Sequence, residues 1–110
     1  MTFVKVCDAA ELETNRPYPA EANGVPLAIV STDDGLFAIY DECSHGRVPL
    51  SEGEVEDDTI ECIAHGSRFD LRTGVPQELP ATHPVPVYPV TIEGDDVLVD
   101  LDNPIQIQEP

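Results

Sequence analysis

Positive charge is what this 110-residue chain has least of: five Lys and Arg stand against 22 Asp and Glu, for a formal net charge of −17. So acidic a surface excludes nucleic acid and anionic membrane as partners, because both would repel it. Long apolar runs are missing as well; no stretch nears the roughly 20 residues of a membrane span. Its first residues, Met1-Thr2-Phe3-Val4-Lys5, lack the charged region and apolar stretch of a signal peptide. Cysteine is scarce and odd in number, three in all. That count excludes a framework of paired disulfides and fits a reducing, cytoplasmic setting. At this length a single domain over residues 1–110 with a modest core is expected, with no room for a second, catalytic one. Nor does a nucleophile–base pair or an open metal site point to an enzyme.

What the chain does have is a succession of short β signals set between turn residues. Phe3 to Val6 reads as a strand. Asp8-Ala9-Ala10-Glu11 has the form of a helix start, Glu11 reaching back to the cap, and predicts one or two turns before Pro17 and Pro19 end them. Asn23-Gly24 is a hairpin signal that leads into the apolar strand Val25 to Ser31, and Asp34-Gly35 turns the chain into Leu36 to Tyr40. Glu52 to Asp58 holds five acids in seven residues and reads as a solvated connection. Thr59 to Ile63 and Arg68 to Leu71 form two β arms, and Val87 to Glu93 with Val97 to Leu101 a last hairpin. Pro86 and Pro89 assign the first strand of that hairpin to an edge. So many short strands between regular turns indicate an all-β sandwich or barrel-like fold.

Two matched Cys–His pairs carry the chemistry. Cys43-Ser44-His45 and Cys62-Ile63-Ala64-His65 are each followed by a glycine, Gly46 and Gly66, so each reads as a loop tip where the backbone turns sharply. Two thiolates and two imidazoles fit a structural zinc, bound tetrahedrally. They fit equally a 2Fe–2S cluster in which two Cys hold one iron and two His the other. Zinc sites usually group their ligands by type. Here each loop offers one of each, which a cluster requires if both loops are to touch both irons. Spacing therefore favours the cluster; a zinc-stabilised interaction module is the alternative, and the absence of visible colour would identify it.

The residues around the pairs extend the pattern. C-S-H-G with C-I-A-H-G-S-R-F-D-L-R-T-G resembles the Rieske family, and its small soluble ferredoxins in particular, over about Phe3 to Asp102. That resemblance implies the Rieske fold: three antiparallel sheets, with a small cluster-binding subdomain over about residues 43–80. It implies one 2Fe–2S cluster of the Rieske type, held by Cys43, His45, Cys62 and His65. Ser67 stands where high-potential members carry a serine that donates to a bridging sulfide, although serine at a turn commonly bonds backbone instead. Phe69 stands where they carry a tyrosine that donates to a ligand sulfur, so that donor is lost. The family covers its cluster with a third loop, for which Pro80 is the expected lid residue, its fixed φ holding shape without paired backbone groups; a plain exposed turn is the alternative. The positions of the disulfide that high-potential members have are Val48 and Ala64, so none can form. Rieske centres span about −150 to +300 mV against about −400 mV for four-Cys plant-type clusters, and with one donor lost the lower part of that range is expected.

By the same resemblance the chain is similar to the ferredoxin component of multicomponent ring-hydroxylating dioxygenases. It would be a monomeric one-electron carrier between a flavin-dependent ferredoxin reductase and the Rieske centre of a terminal oxygenase. Small Rieske subunits tied to nitrite reduction or iron–sulfur assembly are the alternative systems. Oxygenase subunits themselves add a large mononuclear-iron domain with a 2-His-1-carboxylate site, which finds no place here. The acidity suits transient docking on a basic patch of a partner; solubility, or a salt-tolerant host, accounts for it as well. Arg47, Arg68 and Arg72 lie in or beside the cluster loops and are expected to brace them by pairing with Asp70 or Glu42. Cys7 is left over, a small hydrophobe expected in the core.

Overall fold

Leu27, Ala28, Ile29 and Val30 are all fully buried, although successive side chains on a strand point to opposite faces. The strand that holds them therefore has a core on each side, and the rest of the fold supplies the two cores. The computed structural model describes residues 3–42, 48–63, 66–77, 85–102 and 104. Among them run β1 (Phe3–Asp8), β2 (Tyr18–Ala22), β3 (Val25–Thr32), β4 (Gly35–Tyr40), β5 (Val55–Glu56), β6 (Thr59–Glu61), β7 (Arg68–Asp70), β8 (Val87–Tyr88), β9 (Val90–Glu93) and β10 (Asp96–Asp100). They form three antiparallel sheets, in the orders β1-β10-β9, β2-β3-β4-β8 and β5-β6-β7. No helix among the described residues is long and apolar enough to cross a membrane.

The β2-β3-β4-β8 sheet lies in the middle. On one face Leu27, Ile29 and Ala38 pack with Cys7, Ala22, Val97 and Val99. On the other, Ala28, Val30 and Ile39 pack with Leu50, Ile60, Cys62, Phe69, Leu71, Val85 and Val87. Burial on both faces explains why β3 reads as an unbroken apolar run rather than an alternating one. The expected cysteine burial at Cys7 is observed: the thiol sits opposite Val97 beside a bulge in β1. Burial, with the nearby charges of Glu11 and Asp8, pushes it up to about 11.

The helix start at Asp8 yields a single turn, of 3₁₀ form, Ala9–Glu11, with the Glu11 carboxylate accepting the Asp8 N–H at 3.1 Å as expected. Other local expectations are corrected. Pro19, read as a breaker, lies inside β2, which tolerates it as the edge strand of its sheet. The acidic stretch is not only a connection. It folds into a 3₁₀ turn at Leu50–Glu52 and the β5–β6 hairpin, whose two turn residues Asp57 and Asp58 have φ of 51° and 59°. Positive φ at both central positions matches the right-handed twist of a tight hairpin, and Asp accepts that conformation better than most residues. The stretch Val87 to Glu93 is two strands. It breaks at Pro89, so that β8 pairs with β4 and β9 with β10, each at an edge of its sheet.

Candidate metal centre

The β6–β7 hairpin presents the second Cys–His loop. Its ladder runs Thr59 to Asp70, Ile60 to Phe69 and Glu61 to Arg68, and Cys62 follows directly. The Cys62 N–H donates to the Ser67 carbonyl at 2.7 Å, and the Gly66 N–H donates to the Cys62 carbonyl at 2.8 Å, so backbone bonds close the base of the tip. Cys62 is fully buried within the second core, whereas Ile63, the next residue, is 53% exposed. The chain thus passes from core to solvent within one residue at the place where a metal ligand is expected.

The segment that leads out of β7 runs toward the same tip. After β7 the chain turns at Gly74 and runs back beside it: the Asp70 N–H donates to Val75, Phe69 bridges Pro76, and the Gln77 N–H donates to Arg68 at 2.6 Å. Each step from Val75 to Gln77 brings the chain one residue nearer the tip. It returns at Val85, whose N–H donates to the Gly74 carbonyl at 2.9 Å. Only glycine fits at Gly74, where φ is +76° and a Cβ would overlap the Val85 carbonyl.

The first loop leaves β4 at Tyr40 and returns at Val48. Its two sides are joined by a side chain: the Asp41 carboxylate accepts the Ser51 N–H at 2.6 Å through Oδ1 and the Ser51 hydroxyl at 2.7 Å through Oδ2. Gly53 then presses on β6 so closely that a Cβ would overlap the Glu61 carbonyl.

Of the residues expected to form the site, Cys62, Ser67 and Phe69 are all fully buried. Phe69 packs in the same core as Cys62, and Ser67 closes the tip through its carbonyl. Cys43, His45, His65 and Pro80 lie outside the described residues, as does Arg47. Among the described residues no three His, Cys, Asp or Glu side chains converge on a metal position. Among the described residues, the pairs seen at Arg68 and Arg72 are with other acids than those expected. Arg68 lies 3.6 Å from Glu61 and donates to the Thr59 hydroxyl at 3.4 Å. Arg72 pairs with Asp58 at 2.9 Å and Asp34 at 3.6 Å and stacks over Phe37 at 5.5 Å, tying the β3–β4 turn to the β5–β6 turn. A hydrogen bond between those two carboxyl groups raises Asp34 and lowers Asp58 from their ordinary values, Arg72 favouring the charged form of both. Asp70, expected as an ion-pair partner, instead accepts the Arg72 backbone N–H at 2.7 Å.

Sequence reasoning missed Asp41, Ser51 and Gly53. Asp and Ser ten residues apart carry no local signature, since the recognisable Asx and Ser turns span two or three residues.

The donor chemistry fits a 2Fe–2S group. A thiol sealed in the core at the root of an exposed tip offers iron a sulfur ligand shielded from water, and the second loop adds an imidazole at His65 in sequence. Comparison with known proteins agrees. The Rieske [2Fe-2S] domain model matches residues 2–89. The ferredoxin component of biphenyl 2,3-dioxygenase from Rhodococcus jostii (strain RHA1) is 39% identical over 102 residues, covering 93% of this chain and 95% of its own. The ferredoxin of carbazole 1,9a-dioxygenase from Nocardioides aromaticivorans IC177 superposes with a TM-score of 0.84 at 35% identity, over 90% of this chain and 97% of that one. A complex of reduced oxygenase and oxidized ferredoxin in carbazole 1,9a-dioxygenase contains a chain that superposes with a TM-score of 0.81 at 36% identity, over 88% of this chain and 91% of that one.

Proposed function

Since the chain belongs to the Rieske [2Fe-2S] domain family, with one 2Fe–2S cluster as its cofactor, we propose that it is the electron-carrying ferredoxin of a multicomponent ring-hydroxylating dioxygenase. Electrons come from a flavin-dependent ferredoxin reductase and go to the Rieske centre of a terminal oxygenase; the carrier catalyses no reaction of its own. The observation that supports this most is the near full-length match, in both directions, to a ferredoxin component. A related ferredoxin is known in complex with its oxygenase, and this chain docks in the same manner, as a monomer, in the cytoplasm.

Within residues 43–80, a cluster-binding subdomain, Cys43, Cys62, His45 and His65 would hold the cluster, the two thiolates on one iron and the two imidazoles on the other. When bound, the cluster supplies a one-electron couple at a potential set by its mixed thiolate–imidazole ligation. The protein's own groups do the rest. The backbone bonds around Cys62 fix the second loop. Phe69, with Ile60 and Leu71, keeps water from the Cys62 side. Ser67 bears on the potential from its buried place under the tip, and Pro80 shields the cluster from the third loop. Ile63, exposed at the tip, offers the partner an apolar contact, while the chain's net charge of −17 steers the approach to a basic surface.

Purified, iron- and sulfide-replete protein tests the reading. It is expected to be reddish-brown, to give a reduced-state EPR signal, and in stopped-flow to pass one electron per molecule to a dioxygenase of this class. Raised salt slows that transfer if charge steers the encounter. Colourless protein without inorganic sulfide would refute it.

A further inference from the structure

At the base of each ligand loop the described residues hold the chain together, and at the first loop two side chains take part. The second loop is closed by backbone bonds between Cys62, Gly66 and Ser67. At the base of the first, among the described residues, the closure is the Asp41 carboxylate, which grips Ser51 at two points, its N–H at 2.6 Å and its hydroxyl at 2.7 Å. Both distances are short, as expected when the acceptor is charged and both of its oxygens are engaged. The pair is partly buried, so water competes with it less than at an open surface.

Each end of this grip is anchored in something rigid. The Asp41 N–H donates to the Pro26 carbonyl at 3.0 Å, which ties it to β3, the strand buried on both faces. On the other side, Leu50 is fully buried in the core that also holds Cys62. The Gly53 N–H donates to the Leu50 carbonyl at 2.9 Å, and Gly53 lies against Glu61, the residue just before Cys62. The Glu61 N–H donates back to Glu54 at 2.9 Å. A path of contacts and covalent chain therefore leads from the base of one ligand loop to the base of the other: Asp41 to Ser51, along the 3₁₀ turn to Gly53, across to Glu61 and on to Cys62.

We propose that Asp41 and Ser51 are positioning residues for the cluster: their two-point grip fixes the span of the intervening loop and so holds Cys43 and His45 in register with Cys62 and His65. This rests on the ligand assignment above. Neither residue touches the metal. Each acts by joining the two anchored ends of the loop directly across its base, which is how supporting hydrogen bonds preserve metal-site geometry.

Three variants test it in the cluster-loaded protein. Ser51→Ala removes the hydroxyl donor and leaves the N–H; Ser51→Thr keeps both; Asp41→Asn keeps the shape and one acceptor. The readouts are the g-values and linewidth of the reduced EPR signal and the rate of visible bleaching in excess EDTA, with the melting temperature measured alongside. Loss of one hydrogen bond to a charged group predicts bleaching about tenfold faster and a broadened EPR signal for Ser51→Ala. Ser51→Thr is expected to behave as the parent, with Asp41→Asn in between; Asp41→Asn carries the comparison if Ser51→Ala does not accumulate. A Ser51→Ala protein with the parent's EPR signal and bleaching rate, even if it melts lower, would overturn the positioning role. So would equal impairment of Ser51→Ala and Ser51→Thr. A parent protein that binds no cluster would instead bring down the carrier reading, and this role with it.

Discussion

The two faces of the β2-β3-β4-β8 sheet each bury a cysteine, and the two cysteines have opposite fates. Cys7 lies within β1, opposite Val97, with strand on both sides of it in sequence. Cys62 lies where β6 ends, one residue from an exposed tip. Both are buried, so burial alone would not mark a ligand. What separates them is the chain's path: Cys7 is followed by more scaffold, Cys62 by the exposed Ile63 and, in sequence, a histidine. One face is a foundation and the other a socket.

The strongest way to break that contrast is to remove each thiol. Cys62→Ala is expected to abolish cluster incorporation, leaving the protein colourless with no reduced EPR signal. Cys7→Ala keeps full colour and loses about 1 kcal/mol of stability, the typical cost of a single substitution. Iron and sulfide analysis of both, with urea unfolding, checks it; a colourless Cys7→Ala protein would erase the distinction.

The cores themselves sharpen it next. Phe69→Ala in the socket and Leu27→Ala in the foundation each empty a fully buried site, at about 3–5 and 2–5 kcal/mol respectively. Only Phe69→Ala is expected to shift the midpoint potential, since only its core contains Cys62. Denaturant melts and voltammetry on the pair separate stability from tuning, and equal potentials would show that the socket does not shape the cluster's surroundings.

The smallest effect is one of pH. Burial pushes the Cys7 thiol from an ordinary 9.0 up to about 11. Between those values the folded chain retains a proton that the unfolded chain has lost. The resulting stability is complete below the lower value and is lost as pH rises toward the upper one. Urea midpoints should therefore fall more steeply over about pH 9 to 11 in the parent than in Cys7→Ala. Parallel curves would mean that the foundation does not protect its thiol.

Much of this was legible without coordinates, and the exceptions share a cause. Val25 to Ser31 announced a strand by its apolar run, and Asn23-Gly24 announced the hairpin before it through two positive φ angles, 50° and 82°. Cys43-Ser44-His45 and Cys62-Ile63-Ala64-His65 pointed by local spacing to a 2Fe–2S cofactor, and the Rieske [2Fe-2S] domain model covers both pairs. β2 was hidden by Pro17 and Pro19, which local rules treat as breakers; only its edge position, a tertiary fact, admits a proline. β5 was hidden by acids that look solvated, and they are, on a two-residue strand that pairs all the same. Arg72 was rightly read as a brace, but its partners Asp34 and Asp58 come from turns that only the packed sheets bring together. Asp41 and Ser51 are the extreme case, a contact that no periodicity, cap or turn rule foretells.

Pro89 ties the foundation to the socket side. With no N–H to give a ladder, it ends β8 in one sheet and lets β9 begin in another, while its own carbonyl takes the Asp100 N–H at 3.0 Å. Together with the passage from β1 to β2, this joint couples the two layers, so that neither can creep along the other without straining it and a load on one is carried into its neighbour.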